Sequence, residues 1–200
     1  MKLRSMAPLA ALGLALTAAL PAMAAIQVFT TTLSGAAEAP PNASPGTGNA
    51  TVTIDDTSFS MRVQATFLGL TGLTTASHIH CCTAVPGAGN VGVATQTPNF
   101  AGFPLGVAAG GYDATFNMNL DTSWNAAFIT ANGGTPATAF ATFLAGMNAG
   151  RTYFNVHSST FTGGEIRGFL VSAVPEPETY ALMLAGLAGV AWAARRRQTR

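Results

Sequence analysis

Phe59-Ser60-Met61-Arg62-Val63-Gln64-Ala65-Thr66-Phe67 puts an apolar side chain at every second position and a polar one between. Period-two alternation is the mark of a β-strand with one face on a core and the other in water. Upstream, Ala50, Val52 and Ile54 alternate with Thr51, Thr53 and Asp55, which predicts an antiparallel neighbour reached through a turn at 55–58. Ile26 to Ser34, rich in Thr with Val28 and Phe29, predicts a first strand, and the Pro- and Gly-broken run that follows it excludes helix and central strand. Downstream, Tyr112, Ala114, Phe116, Met118 and Leu120 alternate with Asp113, Thr115, Asn117 and Asn119. The Gly- and Pro-rich stretch 85–111 between them reads as a long loop.

The period changes once. Pro136, then Phe140, Phe143, Leu144 and Met147, then Gly150 predict one short amphipathic helix. Many one-sided strands with a single helical excursion predict an all-β fold, an antiparallel β-sandwich rather than a parallel sheet. Its expected core contains Phe59, Met61, Val63, Phe67, Tyr112, Phe116 and Met118.

The last strands, Arg151 to His157 and Glu165 to Val171, predict a hairpin with His157 opposite Glu165, Asn155 opposite Arg167 and Tyr153 opposite Phe169. In Ala76-Ser77-His78-Ile79-His80-Cys81-Cys82 an extended backbone sends His78, His80 and Cys82 to one face and Ile79 to the other. Two imidazoles so placed can converge on one metal ion, with His157 as a third nitrogen donor and Glu165 ligating or orienting an imidazole. Cys82 and Arg167 are further candidates for this site, and imidazoles suit copper or zinc. The competing reading is a polar network between strands, with Glu165 and Arg167 as a structural ion pair. Adjacent Cys81 and Cys82 could bond to each other only through a strained ring, so free, metal-ligating and intermolecular states are open.

A chain of 200 residues, 48% hydrophobic and 8% charged, is one domain with apolar terminal segments. Basic residues cluster at the ends, Lys2 and Arg4 at one and Arg195, Arg196, Arg197 and Arg200 at the other. Between them Arg62, Arg151 and Arg167 are outnumbered by Glu38, Asp55, Asp56, Asp113, Asp121 and Glu165, so no basic face serves a nucleic acid. No Gly-x-Ser-x-Gly elbow or phosphate-binding glycine loop occurs. Glu38 and Glu165 as a hydrolytic pair lack any supporting spacing. The expectation is a non-enzymatic structural or binding protein, with a mononuclear metal-binding or redox-active domain as the alternative.

The ends read as addresses. Lys2 and Arg4 precede the apolar run 7–20, and Pro21-Ala22-Met23-Ala24 supplies a cleavage pattern, so residues 1–24 form a signal peptide for signal peptidase and the mature chain starts at Ala25. After the domain at 25–173, the segment 174–200 holds Pro175-Glu176-Pro177, an apolar helix at 180–194 and a basic tail at 195–200. That helix would span roughly 22 Å, short for a bilayer core but within reach with flanking residues, and its arginines would stay cytoplasmic. This tripartite tail resembles the PEP-CTERM sorting signal of Gram-negative bacteria. The resemblance implies processing by an exosortase near Pro175, Glu176 and Pro177, transient anchoring in the inner membrane, and delivery to the cell surface or extracellular matrix, whose exopolysaccharide is a candidate partner.

Leu33-Ser34-Gly35-Ala36-Ala37-Glu38-Ala39-Pro40-Pro41, Ala76-Ser77-His78-Ile79-His80, Ala149-Gly150-Arg151-Thr152-Tyr153-Phe154-Asn155-Val156-His157 and Gly163-Gly164-Glu165-Ile166-Arg167-Gly168 resemble the ordered motifs of the CHRD domain. The resemblance implies an immunoglobulin-like β-sandwich in a family largely of unknown molecular function. Small residues usually follow the family's His-x-His, whereas this chain has Cys81-Cys82. The His-x-His strand is also similar to that of copper/zinc superoxide dismutases, but the 3 His of this chain are too few for their dinuclear centre. Replacing Pro175, Glu176 and Pro177 by alanine is expected to leave unprocessed protein in the inner membrane, read by fractionation and immunoblotting; normal release of that variant would count against the sorting role.

Overall fold

A computed structural model describes residues 26–173, 182–190 and 195. The strands are β1 (Ile26–Ser34), β2 (Thr47–Asp55), β3 (Ser60–Leu68), β4 (Thr74–Cys81) and β5 (Gly110–Asn117). Two helices follow, α1 (Ala126–Ala131) and α2 (Pro136–Asn148), and then β6 (Thr152–Ser158), β7 (Ile166–Phe169) and β8 (Val171–Ser172). The fold is all-β and antiparallel, as expected. The strands do not divide into two separately hydrogen-bonded sheets; they lie on one curled path, β4-β6-β7-β1-β2-β3-β5, with β8 on β1.

Alternation sets the core. Val52, Ile54, Met61 and Val63 are wholly buried, and Phe67, Tyr112, Phe116 and Met118 lie with them. Two expected positions differ. Leu120 falls beyond β5 and is exposed. Phe59 belongs to the turn rather than the strand, at φ 52°, a left-handed conformation rare for a bulky residue. Its ring stays anchored 5.1 Å from that of Phe140. In the same turn the Asp55 carboxylate accepts hydrogen bonds from the Thr57 and Ser58 backbone N–H groups, the local closure that favours Asp here.

The segment between β4 and β5 is long, yet it is fitted to the sheet. Cys81 N–H donates to Gly92 O, Ala94 N–H to Ile79 O, Phe100 N–H to Ser77 O and Thr74 N–H to Val107 O. This strap pairs the edge of β4, which would otherwise expose a row of open backbone groups. It also sends Phe100 inward, where its ring lies 5.3 Å from Phe116 and 6.2 Å from Phe154.

α2 starts where the sequence predicts. Thr135 caps it reciprocally with Thr138, Pro136 takes the first turn, and Ala139, Phe140, Phe143 and Met147 face the core. α1 was not anticipated. It is a six-residue helix capped by Asn125, and Trp124 beside it meets Phe143 edge-on at 5.4 Å. Cys81 and Cys82 are disulfide-bonded to each other, which corrects the free, metal-ligating and intermolecular alternatives. α2 rests on this disulfide at Gly146, where a Cβ would collide with both sulfurs.

The expected signal peptide at 1–24, the start at Ala25, the motif Pro175-Glu176-Pro177 and most of the basic tail lie outside the described residues. Within the expected apolar helix at 180–194, residues 182–190 are helical and exposed. No helix among the described residues is long and apolar enough to cross a membrane. Phe154 is fully buried beneath Phe100, so Phe154→Ala is expected to cost about 3–5 kcal/mol in urea unfolding, and a loss below about 1 kcal/mol would contradict this core.

Candidate metal centre

The hairpin has the register that the sequence predicts at Asn155 with Arg167 and Tyr153 with Phe169, but the pairing ends at Val156 with Ile166, and Glu165 N–H donates to Val156 O instead of facing the expected His157. On its other side β6 pairs with β4, matching His78 with Asn155, His80 with Tyr153 and His157 with Ala76. Ile79, Phe154 and Val156 fill the core. Side chains one position away must then leave by the opposite face. There His78, His80 and His157 meet, with ring centroids 5.2 to 6.2 Å apart. The small side chain of Ala76 opposite His157 leaves room for this approach.

Each imidazole is held at one nitrogen by a backbone carbonyl. His78 Nε2 bonds Pro98 O at 2.6 Å, His80 Nδ1 bonds Val91 O at 2.8 Å, and His157 Nδ1 bonds Thr162 O at 2.9 Å. A carbonyl only accepts, so these nitrogens carry the protons and each tautomer is fixed. The other nitrogens, His78 Nδ1, His80 Nε2 and His157 Nε2, are lone-pair acceptors. All three are buried and have no hydrogen-bond partner among the described residues. Three such ligand atoms lie within 4.8 Å of one another.

Protonation cannot easily relieve the cluster. Burial pushes His78 and His157 below the ordinary imidazole range and His80 down to about 4. A single water offers two protons, too few for three converging lone pairs. A transition-metal ion satisfies all three at once, and carbonyls on the far nitrogens are the usual outer partners of metal-bound imidazoles. The ring of Tyr153 stacks on His80 at 4.5 Å, and the Arg167 guanidinium lies 4.7 Å from the Tyr153 centroid.

The remaining candidates go elsewhere. Glu165 lies past the last paired residues of the hairpin, and its carboxylate accepts from Ser44 Oγ at 2.6 Å, from Thr71 N–H, and from Gly72 N–H at 3.2 Å. Burial raises its pKa, yet bonds from Ser158, Ser44 and these amides outweigh burial and hold it below the usual carboxylate range. Glu165 therefore ties loops together rather than joining the imidazoles. Arg167 pairs not with Glu165 but with Glu38, at 3.7 Å, and donates to Ala37 O and Asn90 Oδ1. Cys82 is consumed by its disulfide and lies against the Thr142 carbonyl.

Two residues were missed as site neighbours. Asn155 donates Nδ2–H to Glu38 Oε1 at 2.9 Å, while its Oδ1 is buried without a partner. Burial pushes Glu38 up to about 7 despite Arg167 and Asn155. The alternation Tyr153, Asn155, His157 already put Asn155 on the face of His157; Glu38 comes from a distant loop and had no local signal.

A family model described as the CHRD domain matches residues 29–170. A second, described as a PEP-CTERM protein-sorting motif, matches 173–197 and associates the chain with exosortase processing and export. No curated protein and no solved structure matches.

The lowered imidazole pKa values fix a sign. Between about 4 and 6.5 the unfolded chain binds a proton at His80 that the metal-free native state refuses, so stability falls as pH drops through that window. The loss from His80 is on the order of 3 kcal/mol. Glu38, held up near 7, acts oppositely, losing native stability as pH rises from 4.5. Comparing wild type with His80→Gln in chelator-treated protein by urea unfolding isolates the His80 part; equal slopes would refute neutral burial.

Proposed function

The chain belongs to the CHRD-domain family, and from that premise we propose that it is an exported surface protein whose domain holds one transition-metal ion, zinc or copper, on His78, His80 and His157. The observation that carries the metal reading is the set of three buried imidazole nitrogens without partners, each backed by a carbonyl on its ring's other nitrogen. Three neutral imidazoles suit zinc and copper. We read the role as structural or binding, the part a metal plays where the protein itself closes the coordination shell.

The sorting motif supports the destination. The short apolar segment before Arg195 is the transient membrane anchor, exosortase acts near Pro175-Glu176-Pro177, and the domain is delivered to the cell surface or its exopolysaccharide matrix. An ion that cross-links β4 and β6 would harden the domain for that setting.

Elemental analysis of the purified full-length chain is expected to find one zinc or copper ion per chain. The combined His78→Ala and His80→Ala variant should fall to background. Metal at a hundredfold over its Kd should raise unfolding free energy by about 2.7 kcal/mol. Wild-type protein that takes up neither ion, in stoichiometry or stability, would overturn the metal reading.

A further inference from the structure

We propose that Asn155 is the fourth ligand of this centre, its Oδ1 completing the three imidazoles as a four-coordinate site for a divalent ion of the zinc class. The inference rests on the metal reading above and adds a donor that metal-ligand residue types alone do not reveal.

Position is the first argument. Asn155 lies on β6 between Tyr153 and His157 and directly opposite His78, while His80 is opposite Tyr153. It thus stands at the fourth corner of the figure formed with His78, His80 and His157, on the same face of the sheet. Its own exposure is 2%, so it has no route to solvent.

Orientation is the second. Asn155 Nδ2 donates to Glu38 Oε1 at 2.9 Å. The side-chain amide is planar, so pinning its nitrogen on Glu38 turns Oδ1 away from that carboxylate. Oδ1 is buried and accepts no hydrogen bond from any described residue. With Glu38 ionised beside Arg167, reversing the amide would set its oxygen against the Glu38 oxygen, acceptor against acceptor, so the ionised pair selects this orientation.

Chemistry is the third. His78 Nδ1, His80 Nε2, His157 Nε2 and Asn155 Oδ1 are all acceptors, and each is buried without a donor. One water can satisfy only two of them, and the rest would stay desolvated and unpaired. A cation satisfies four. Three nitrogens and one oxygen match the tetrahedral preference of zinc, at metal–ligand distances of roughly 2.0–2.2 Å. The nitrogens, now within 4.8 Å of one another, would draw in to roughly 3.4 Å. Glu38 behind Asn155 supplies the usual outer carboxylate: its charge polarises the amide and strengthens Oδ1 as a donor. Arg167 is kept off the ion by its bonds to Ala37 O and Asn90 Oδ1.

The experiment uses the full-length chain, stripped and then titrated with zinc against a chromophoric chelator, and with cobalt(II) as the optical probe. Wild type should give the strong visible bands of four-coordinate cobalt. Asn155→Leu should weaken zinc binding by roughly ten- to a hundredfold and alter those bands, while Asn155→Asp, which restores an oxygen donor, should bind zinc and shift them. Asn155→Leu binding zinc within threefold of wild type, with an unchanged cobalt spectrum, would overturn the proposal. If Asn155→Leu does not fold, Asn155→Asp decides: a changed cobalt spectrum supports a ligand, and an unchanged one overturns it. Failure of the metal reading itself looks different, because then zinc binding would be absent in wild type or indifferent to His78→Ala and His80→Ala.

Discussion

Everything at the candidate centre depends on the antiparallel pairing of β4 with β6. Ile79, Phe154 and Val156 are fully buried on the core side of that pair. With a side-chain period of two, their burial leaves His78, His80, Asn155 and His157 only the other face. Slipping the register by one residue would bury the imidazoles in the core and expose three large apolar side chains. Core packing thus enforces the convergence of groups whose lone pairs, taken alone, oppose it.

That opposite face is not a solvated one. The strap between β4 and β5 lies over it and contributes Val91 O and Pro98 O to two of the imidazoles. The loop after β6 contributes Thr162 O to the third. Arg167 and Glu38 form a second buried polar group beside them, with Ala37 O and Asn90 Oδ1 accepting from Arg167 at its outer edge. The domain therefore carries two polar layers outside its apolar core. One is satisfied internally, through ions and carbonyls. The other is left with acceptors alone.

The sequence made the strands legible because one-sided alternation is a local property. The run 60–67, the turn after Asp55, the start of α2 and the pairing of Asn155 with Arg167 all follow from patterns within a few residues. So does the shared face of His78 and His80. The fate of Glu165 was not legible, because its partners Ser44, Thr71 and Gly72 are far from it in the chain. Register gave Asn155 with Arg167 and Tyr153 with Phe169, yet Glu165 falls past the last pair, its N–H on Val156 O and its side chain on those donors. Phe59 continued the alternation but was claimed by the turn, and α1 is too short to show a period. The single curled path, in place of two sheets, depends on long-range pairing of β1 with β7 and on the strap, which alternation does not encode.

The strap also sets how the centre is aimed. Its carbonyls fix the tautomers of His78 and His80, holding one nitrogen of each ring and leaving the other as an acceptor. The strap is itself held by backbone bonds along the edge of β4. The aim of two imidazoles is therefore set by main chain rather than by side chains, and substitutions along the strap that keep its backbone path leave that aim intact.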